Sequence, residues 1–177
     1  MARRTTRGLR GSTLEEMINI SNDIYREKNL AVIQKIPTPI TPMEMDRDRH
    51  ITLAYFDKKS TVDYMGVIQG IPICFDAKEC ATDTFPLSNI HEHQIAFMSD
   101  FQKQSGIAFF ILRYTHKDEN YLFPFEVIEQ YWNRMMQGGR RSFTYEEIDK
   151  RYKIESNRNI LIDYLSSFSK YIDDVES

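Results

Sequence analysis

The sequence predicts an α/β fold, a mixed sheet of about five strands with helices on both of its sides. Three observations carry this. Two apolar-rich runs flank Gln69-Gly70 within VDYMGVIQGIPICFDAKE at 62–79, the pattern of a β-hairpin. The run GIAFFILRY at 106–114 is the most apolar in the chain. It shows no alternation across Ile107–Leu112, which predicts a central strand buried on both faces. Around these runs, apolar residues recur at helical spacing, as in Leu14, Met17, Ile18, Ile24 and Tyr25.

Residues 1–11, MARRTTRGLRG, are expected as a flexible basic arm, with Arg3, Arg4, Arg7 and Arg10 and no acid. Such an arm is either a solubilising tail or a tract that neutralises phosphates. Ser12 or Thr13 caps a first helix reaching about Lys28, and Thr13 with Glu16 makes a capping-box pattern. Glu15 and Glu16 favour the positive end of that helix. Leu30–Ile36 has strand length, and Pro37, Pro39 and Pro42 then break regular structure. The chain is expected to be irregular or extended from Thr38 to Lys59, with EMDRDRH at 44–50 reading by itself as solvated surface.

The hairpin comes next, and Pro72 marks a strand start or a bulge in it. Cys80–Asn89 is expected as a loop, and Ile90 to about Gln104 as a helix with Ile95, Met98 and Phe101 inward. His91 and His93 would point to different sides of that helix, which makes them a poor metal pair. Tyr121–Phe123 reads as a short strand. Pro124 and Phe125 open a helix containing Ile128, Tyr131, Trp132 and Met135, and Gly138-Gly139 ends it. Arg140 and Arg141 stand beside those glycines, where backbone and side chains can approach a phosphate together. Thr144 with Glu147 is a second T-x-x-E cap. The final helix, Ile160–Tyr171, carries Leu161, Tyr164, Leu165 and Phe168 on one face, which either completes the core or meets a second subunit.

At 177 residues, 41% of them hydrophobic, the chain is one domain with an arm. No run approaches the roughly 18–20 apolar residues of a membrane helix. The N-terminus has arginines but no apolar segment, so it does not read as a secretory signal, and a cytoplasmic location without a membrane is expected. Cys74 and Cys80 on one strand would lie about 20 Å apart, too far to bond, and read as reduced thiols. The net charge of −3 argues against a uniformly basic nucleic-acid binder. The charge is uneven, however, with the basic arm at one end and acids in Thr144–Asp149 and Asp173–Glu176.

The chemistry concentrates on the hairpin. If Gln69-Gly70 is the loop, Ile68 faces Ile71 and, counting back, Asp63 faces Asp76. Opposed carboxylates on neighbouring strands disfavour each other and raise each other's pKa unless a cation lies between them. Lys78 lies two residues after Asp76, on the same face of the strand, with Cys74. Two carboxylates and a lysine at one patch can hold a divalent metal and handle a water molecule. Asp76 and Lys78 read equally as an ordinary exposed pair, since D-x-K is common by chance.

Asp63, then Asp76-Ala77-Lys78, resembles the D…(D/E)-x-K core of restriction-endonuclease-like nucleases. More narrowly, the chain resembles the RecU-type Holliday junction resolvases of Gram-positive bacteria. The carriers are GSTLEEMI at 11–18, PTPI at 37–40, AYF at 54–56, STVDYMGV at 60–67 and FDAKE at 75–79. They continue with FPLSNIHEHQ at 85–94, GIAFFILRY at 106–114 and RRS at 140–142. The resemblance implies a restriction-endonuclease-like core in one nuclease domain, 12–177, with a projecting stalk at about 38–62 that enters the junction centre. It implies a magnesium-dependent endonuclease, with manganese as a substitute, that resolves four-way DNA junctions. Asp63, Asp76 and the carbonyl of Ala77 would hold the metal, and Lys78 would orient the attacking water. Glu15 would hold a second metal or act as base, and Gln94 would contact the scissile phosphate. Arg3, Arg4, Arg7, Arg10, Arg47, Arg49, Lys58, Lys59, Arg140 and Arg141 are the implied DNA contacts. Symmetric cleavage needs two sites, hence a two-fold homodimer. The family is also associated with the strand-exchange recombinase and with branch-migration machinery. The chain departs from the family pattern at Met65, at Cys74 where an acid is expected, and at Asp76 where glutamate is usual. These departures, with an acidic stalk, keep a non-cleaving junction-binding or recombinase-modulating protein as the alternative, beside a related nuclease with another DNA-structure preference.

Overall fold

Gln69 and Gly70 both adopt left-handed backbone, with φ of +47° and +89°, the pairing that a two-residue hairpin turn requires. Glycine does this without strain. Gln69 is held there by its side-chain amide, which donates to the carbonyls of Asn29 at 3.3 Å and Leu30 at 2.9 Å. The computed structural model describes residues 13–56, 61–157 and 160–176. The expected arm, 1–11, with Arg3, Arg4, Arg7 and Arg10, and the residues Lys58 and Lys59 lie outside the described residues.

The turn joins β4 (Tyr64–Ile68) to β5 (Ile71–Cys80) with Ile68 paired to Ile71 and Tyr64 to Phe75, the register read from the sequence. On the other side of β5, β7 (Ile107–Tyr114) runs parallel, reached through α2 (Glu92–Lys103). The main sheet has six strands in the order β1-β4-β5-β7-β8-β10, where β1 is Ala31–Lys35, β8 is Glu119–Pro124 and β10 is Lys153–Ile154. The sixth strand is only two residues long. Every residue from Ala108 to Leu112 is 0–1% exposed, so β7 is buried on both faces as its unbroken apolar run requires.

One face of the sheet packs α1 (Leu14–Glu27) and α4 (Tyr164–Glu176) over Ile73, Phe75, Phe109 and Ile111. There Tyr64, Phe75 and Phe109 stack in series, with ring centroids 4.7 and 4.9 Å apart. The other face packs α2 and α3 (Phe125–Met136) over Cys74, Ala108, Phe110 and Leu112. The alternation along β5 thus separates two cores, with Asp76 and Lys78 directed to the α2 side. Thr13 closes α1 with the capping box: its hydroxyl accepts from Glu16 N at 3.3 Å and its amide donates to Glu16 Oε2 at 3.0 Å. Gly66 allows β1 to approach β4, since a Cβ there would stand 2.2 Å from the Val32 carbonyl oxygen.

Two expectations change and one is made specific. The segment expected as irregular or extended is extended, as a two-stranded hairpin of β2 (Ile40–Met45) and β3 (Ile51–Phe56) with register shifts around Pro42 and Glu44. Its turn is fixed by Asp46 Oδ1, which accepts the amides of Asp48 at 2.9 Å and His50 at 2.8 Å. The loop after Cys80 contains a short strand, β6 (Thr84–Pro86), paired with β9 (Ser142–Thr144). The last helix begins at Tyr164 instead of Ile160, because Asp163 accepts the hydroxyls of Tyr25 and Ser166 while non-helical Ile160 and Ile162 anchor in the core. Its apolar face, Tyr164, Phe168 and Tyr171, completes the core.

Candidate active site

Asp63 immediately precedes β4 and stands across from Asp76. Its Oδ2 accepts the backbone amide of Ala77 at 3.0 Å. An amide and carbonyl of one residue point to the same side of a strand. The Ala77 carbonyl therefore points toward Asp63, beyond the end of β4, where no strand continues among the described residues. Asp63 is itself held by its own carbonyl, which accepts from Ile36 N at 2.8 Å.

Asp76 is buried without residual exposure. Its Oδ2 accepts the side-chain amide of Gln94, and its Oδ1 lies 2.6 Å from Lys78 Nζ. The Lys78 ammonium is thus the close partner of the buried Oδ1. Burial pushes the Asp76 carboxyl up to about 7, Lys78 opposes the rise and Asp63 adds to it. Burial, and then Asp76, pushes the neighbouring Cys74 thiol up to about 12. The Tyr64 phenol is raised by burial and next by the charges of Glu15, Asp63 and Asp76. Three acids thus surround one edge of the hairpin.

The donor set fits a divalent cation of the magnesium type. Asp63, Asp76 and the Ala77 carbonyl offer hard oxygens, and Asp76 Oδ1 is a buried carboxylate oxygen balanced only by the Lys78 ammonium. Cys74 is buried with a raised thiol and supplies no competing soft ligand.

The structure brings together Asp63, Asp76, Ala77, Lys78 and Gln94. Gln94 is committed to Asp76 and, through Oε1, to the amide of His91 at 3.0 Å, so it positions the carboxylate. Glu15 is more distant: its carboxylate pairs with Lys35 at the end of β1, while its backbone carbonyl lies 3.3 Å from the Tyr64 hydroxyl. Lys35 was not foreseen beside the site. Its only signal is its place just before PTPI, and the antiparallel pairing of β1 with β4 brings it there. His91 and His93 are stacked, with rings 5.3 Å apart at 14°, contrary to their expected divergence. His91 caps the helix from outside it, so the angular spacing of helical residues does not apply.

The expected DNA contacts are scattered. Arg47 and Arg49 lie exposed at the β2–β3 turn. Arg140 pairs with Glu147, and Arg141 is exposed. Asp46, Asp48 and His50 gather ligand atoms within 4.8 Å at that turn, but both oxygens of Asp46 already bond within it.

The family model described as Recombination protein U matches residues 9–170. A protein of Leuconostoc mesenteroides named Holliday junction resolvase RecU is 42% identical over 172 residues, covering 94% of this chain and 83% of that one. One of the same name from Staphylococcus carnosus is 42% identical over 171 residues, covering 93% and 82%. Among solved structures, Hjc, a Holliday junction resolvase from Archaeoglobus fulgidus, superposes with a TM-score of 0.36 at 10% identity, over 63% of this chain and 74% of that one. By the span of the family match and the identity to these relatives, the chain belongs to the RecU family of recombination proteins.

Proposed function

We propose that this chain is a metal-dependent endonuclease that resolves four-way DNA junctions in recombination and repair. The observation that carries the reading is the buried Asp76 carboxylate, opposed by Asp63 and held 2.6 Å from Lys78, in a chain of this family. Asp63, Asp76 and the carbonyl of Ala77 would hold magnesium, for which manganese would substitute. A divalent ion held there would supply Lewis-acid polarisation of the scissile phosphate and a water of lowered pKa. Gln94 fixes the orientation of Asp76. Lys78 orients the water and balances the charge that grows on the phosphate. Glu15, on leaving Lys35, serves as base or as ligand to a second ion. Arg140, Arg141, Arg47 and Arg49, with Lys58, Lys59 and the arginines of the first eleven residues, contact the DNA backbone.

Paired incisions require two such sites, hence a homodimer. The strand-exchange recombinase and branch-migration machinery are the proposed protein partners, in the cytoplasm. No described helix is long and apolar enough to cross a membrane. The test is cleavage of a labelled synthetic four-way junction against linear duplex, with magnesium or with chelator, by wild type, Asp63→Asn and Lys78→Ala. Symmetric nicks confined to the junction and absent from both variants are expected. Junction binding without cutting by the wild type would refute the enzyme.

A further inference from the structure

Glu15 approaches the hairpin from a helix, so its place depends on how α1 is docked. Leu14 and Ile18 bury α1 against the sheet, but apolar contact has no direction and leaves a helix free to slide and turn slightly. Directional bonds fix those movements. Two of them run from the hairpin strands to the first turns of α1. The Tyr64 hydroxyl donates to Asn19 Oδ1 at 3.0 Å and, in a shared bond, to the Glu15 carbonyl at 3.3 Å, groups one helical turn apart on one face. Glu79 Oε1 accepts the amide of Leu14, the residue before Glu15, at 3.2 Å.

Tyr64 is placed to join the acids. It follows Asp63 in the chain and pairs across the ladder with Phe75, the residue before Asp76. Its ring is buried and stacked on Phe75, with centroids 4.7 Å apart at 11°, so the hydroxyl is held by rigid packing. Its phenol feels burial first and then the charges of Glu15, Asp63 and Asp76. The Glu15 carboxylate, in contrast, is 44% exposed and meets a lysine exposed to the same extent, which is a weak restraint. A fixed backbone under Glu15 lets that carboxylate leave Lys35 while α1 stays in place.

We propose that Tyr64 is a positioning residue for phosphodiester cleavage: with Glu79 bracing the adjacent amide, its hydroxyl fixes the first turn of α1 and so the distance of Glu15 from Asp63 and Asp76. This rests on the reading of these three acids as the nuclease site. Tyr64 touches no reacting atom and acts through Glu15. A helix that slips by about 1 Å when the hydroxyl is lost can slow an aligned reaction by up to about 100-fold.

The test compares Tyr64→Phe with Tyr164→Phe in the full chain. Each removes one hydroxyl that bonds an asparagine of α1, since Tyr164 donates to Asn22 Oδ1 at 2.6 Å, but Asn22 lies about two turns beyond Glu15. Single-turnover cleavage of a synthetic four-way junction with magnesium is measured beside junction affinity in chelator. A second readout needs no activity: manganese broadens amide resonances steeply with proximity, and broadening at Glu15 is compared with that at Ala77 in DNA-free protein. Tyr64→Phe is expected to slow cleavage about tenfold or more with junction affinity kept within about twofold, and to change the Glu15-to-Ala77 broadening ratio. Tyr164→Phe should do neither, and Tyr64→Phe should add no loss in a Glu15→Gln background. Should Tyr64→Phe misfold, Glu79→Ala is expected to slow cleavage in the same way, and Glu79→Gln, which keeps the acceptor, to retain it. Tyr64→Phe, or Glu79→Ala in its stead, as fast as a cleaving wild type, equal losses in both phenylalanine variants, or an unchanged ratio would overturn the proposal alone. A wild type that neither cuts nor shows broadening at Ala77 would overturn the nuclease reading and this proposal with it.

Discussion

Replacing Asp76 with asparagine should make the metal-free protein more stable while abolishing its proposed activity. Asp76 is buried without residual exposure, and its carboxyl is raised from the usual 3.8 to about 7. A gap of about three pH units corresponds to about 4 kcal/mol of penalty on the ionised form. Below about pH 4 the group is protonated in the folded and unfolded chains alike, and the penalty vanishes. As pH rises toward 7 the unfolded chain ionises more readily, so this group alone makes the metal-free fold progressively less stable. Above pH 7 the full penalty applies. Asparagine keeps an acceptor for Gln94 and removes the charge, but it also deprives Lys78 of its counter-ion, and that lysine is only 19% exposed. A net gain of about 2 kcal/mol at pH 8 is expected, or about 4–8 °C in Tm. The assay is thermal unfolding of wild type and Asp76→Asn in chelator from pH 5 to pH 8, repeated with magnesium. The variant should gain most at pH 8 and least at pH 5, and magnesium should stabilise the wild type alone. A constant difference across pH, or a variant less stable than wild type at pH 8, would refute the reasoning.

Lys78→Ala should reduce single-turnover junction cleavage by about 100-fold or more while magnesium still raises Tm, since the lysine supports the transition state and the carboxylates hold the ion. Phe75→Ala removes the middle ring of the Tyr64–Phe75–Phe109 stack and should cost about 3–5 kcal/mol in denaturant unfolding. Gly66→Ala should destabilise the pairing of β1 with β4 by more than a surface alanine substitution does, read as lost amide protection along Ala31–Lys35, because the added carbon meets backbone 2.2 Å away. Thr13→Ala opens the capping box of α1 and should cost about 1 kcal/mol, visible as a small drop in Tm.

The hairpin register was legible because two constraints agree. Gln69-Gly70 accepts positive φ, and the period-two alternation of β5 admits one pairing that buries Ile73 and Phe75 together. Asp63, Asp76 and Lys78 therefore follow from counting. The β2–β3 hairpin was obscured because its prolines and alternating charges carry turn signals, while Asp46 closes the turn by accepting two amides that no periodicity marks. The start of α4 was misplaced because Ile160 and Ile162 continue an apolar pattern although they pack into the core outside any helix.

By itself the sequence determined which residues share a face and which elements they build, since side-chain periodicity and turn chemistry are local properties of the backbone. Only the tertiary structure decided what surrounds each charge. It buried Asp76 between Lys78 and Gln94, drew Glu15 to Lys35, and set the Tyr64 hydroxyl against Asn19. Burial and ion pairing depend on segments far apart in the chain that meet only after folding. The electrostatics of the site therefore lie beyond what spacing along the chain contains.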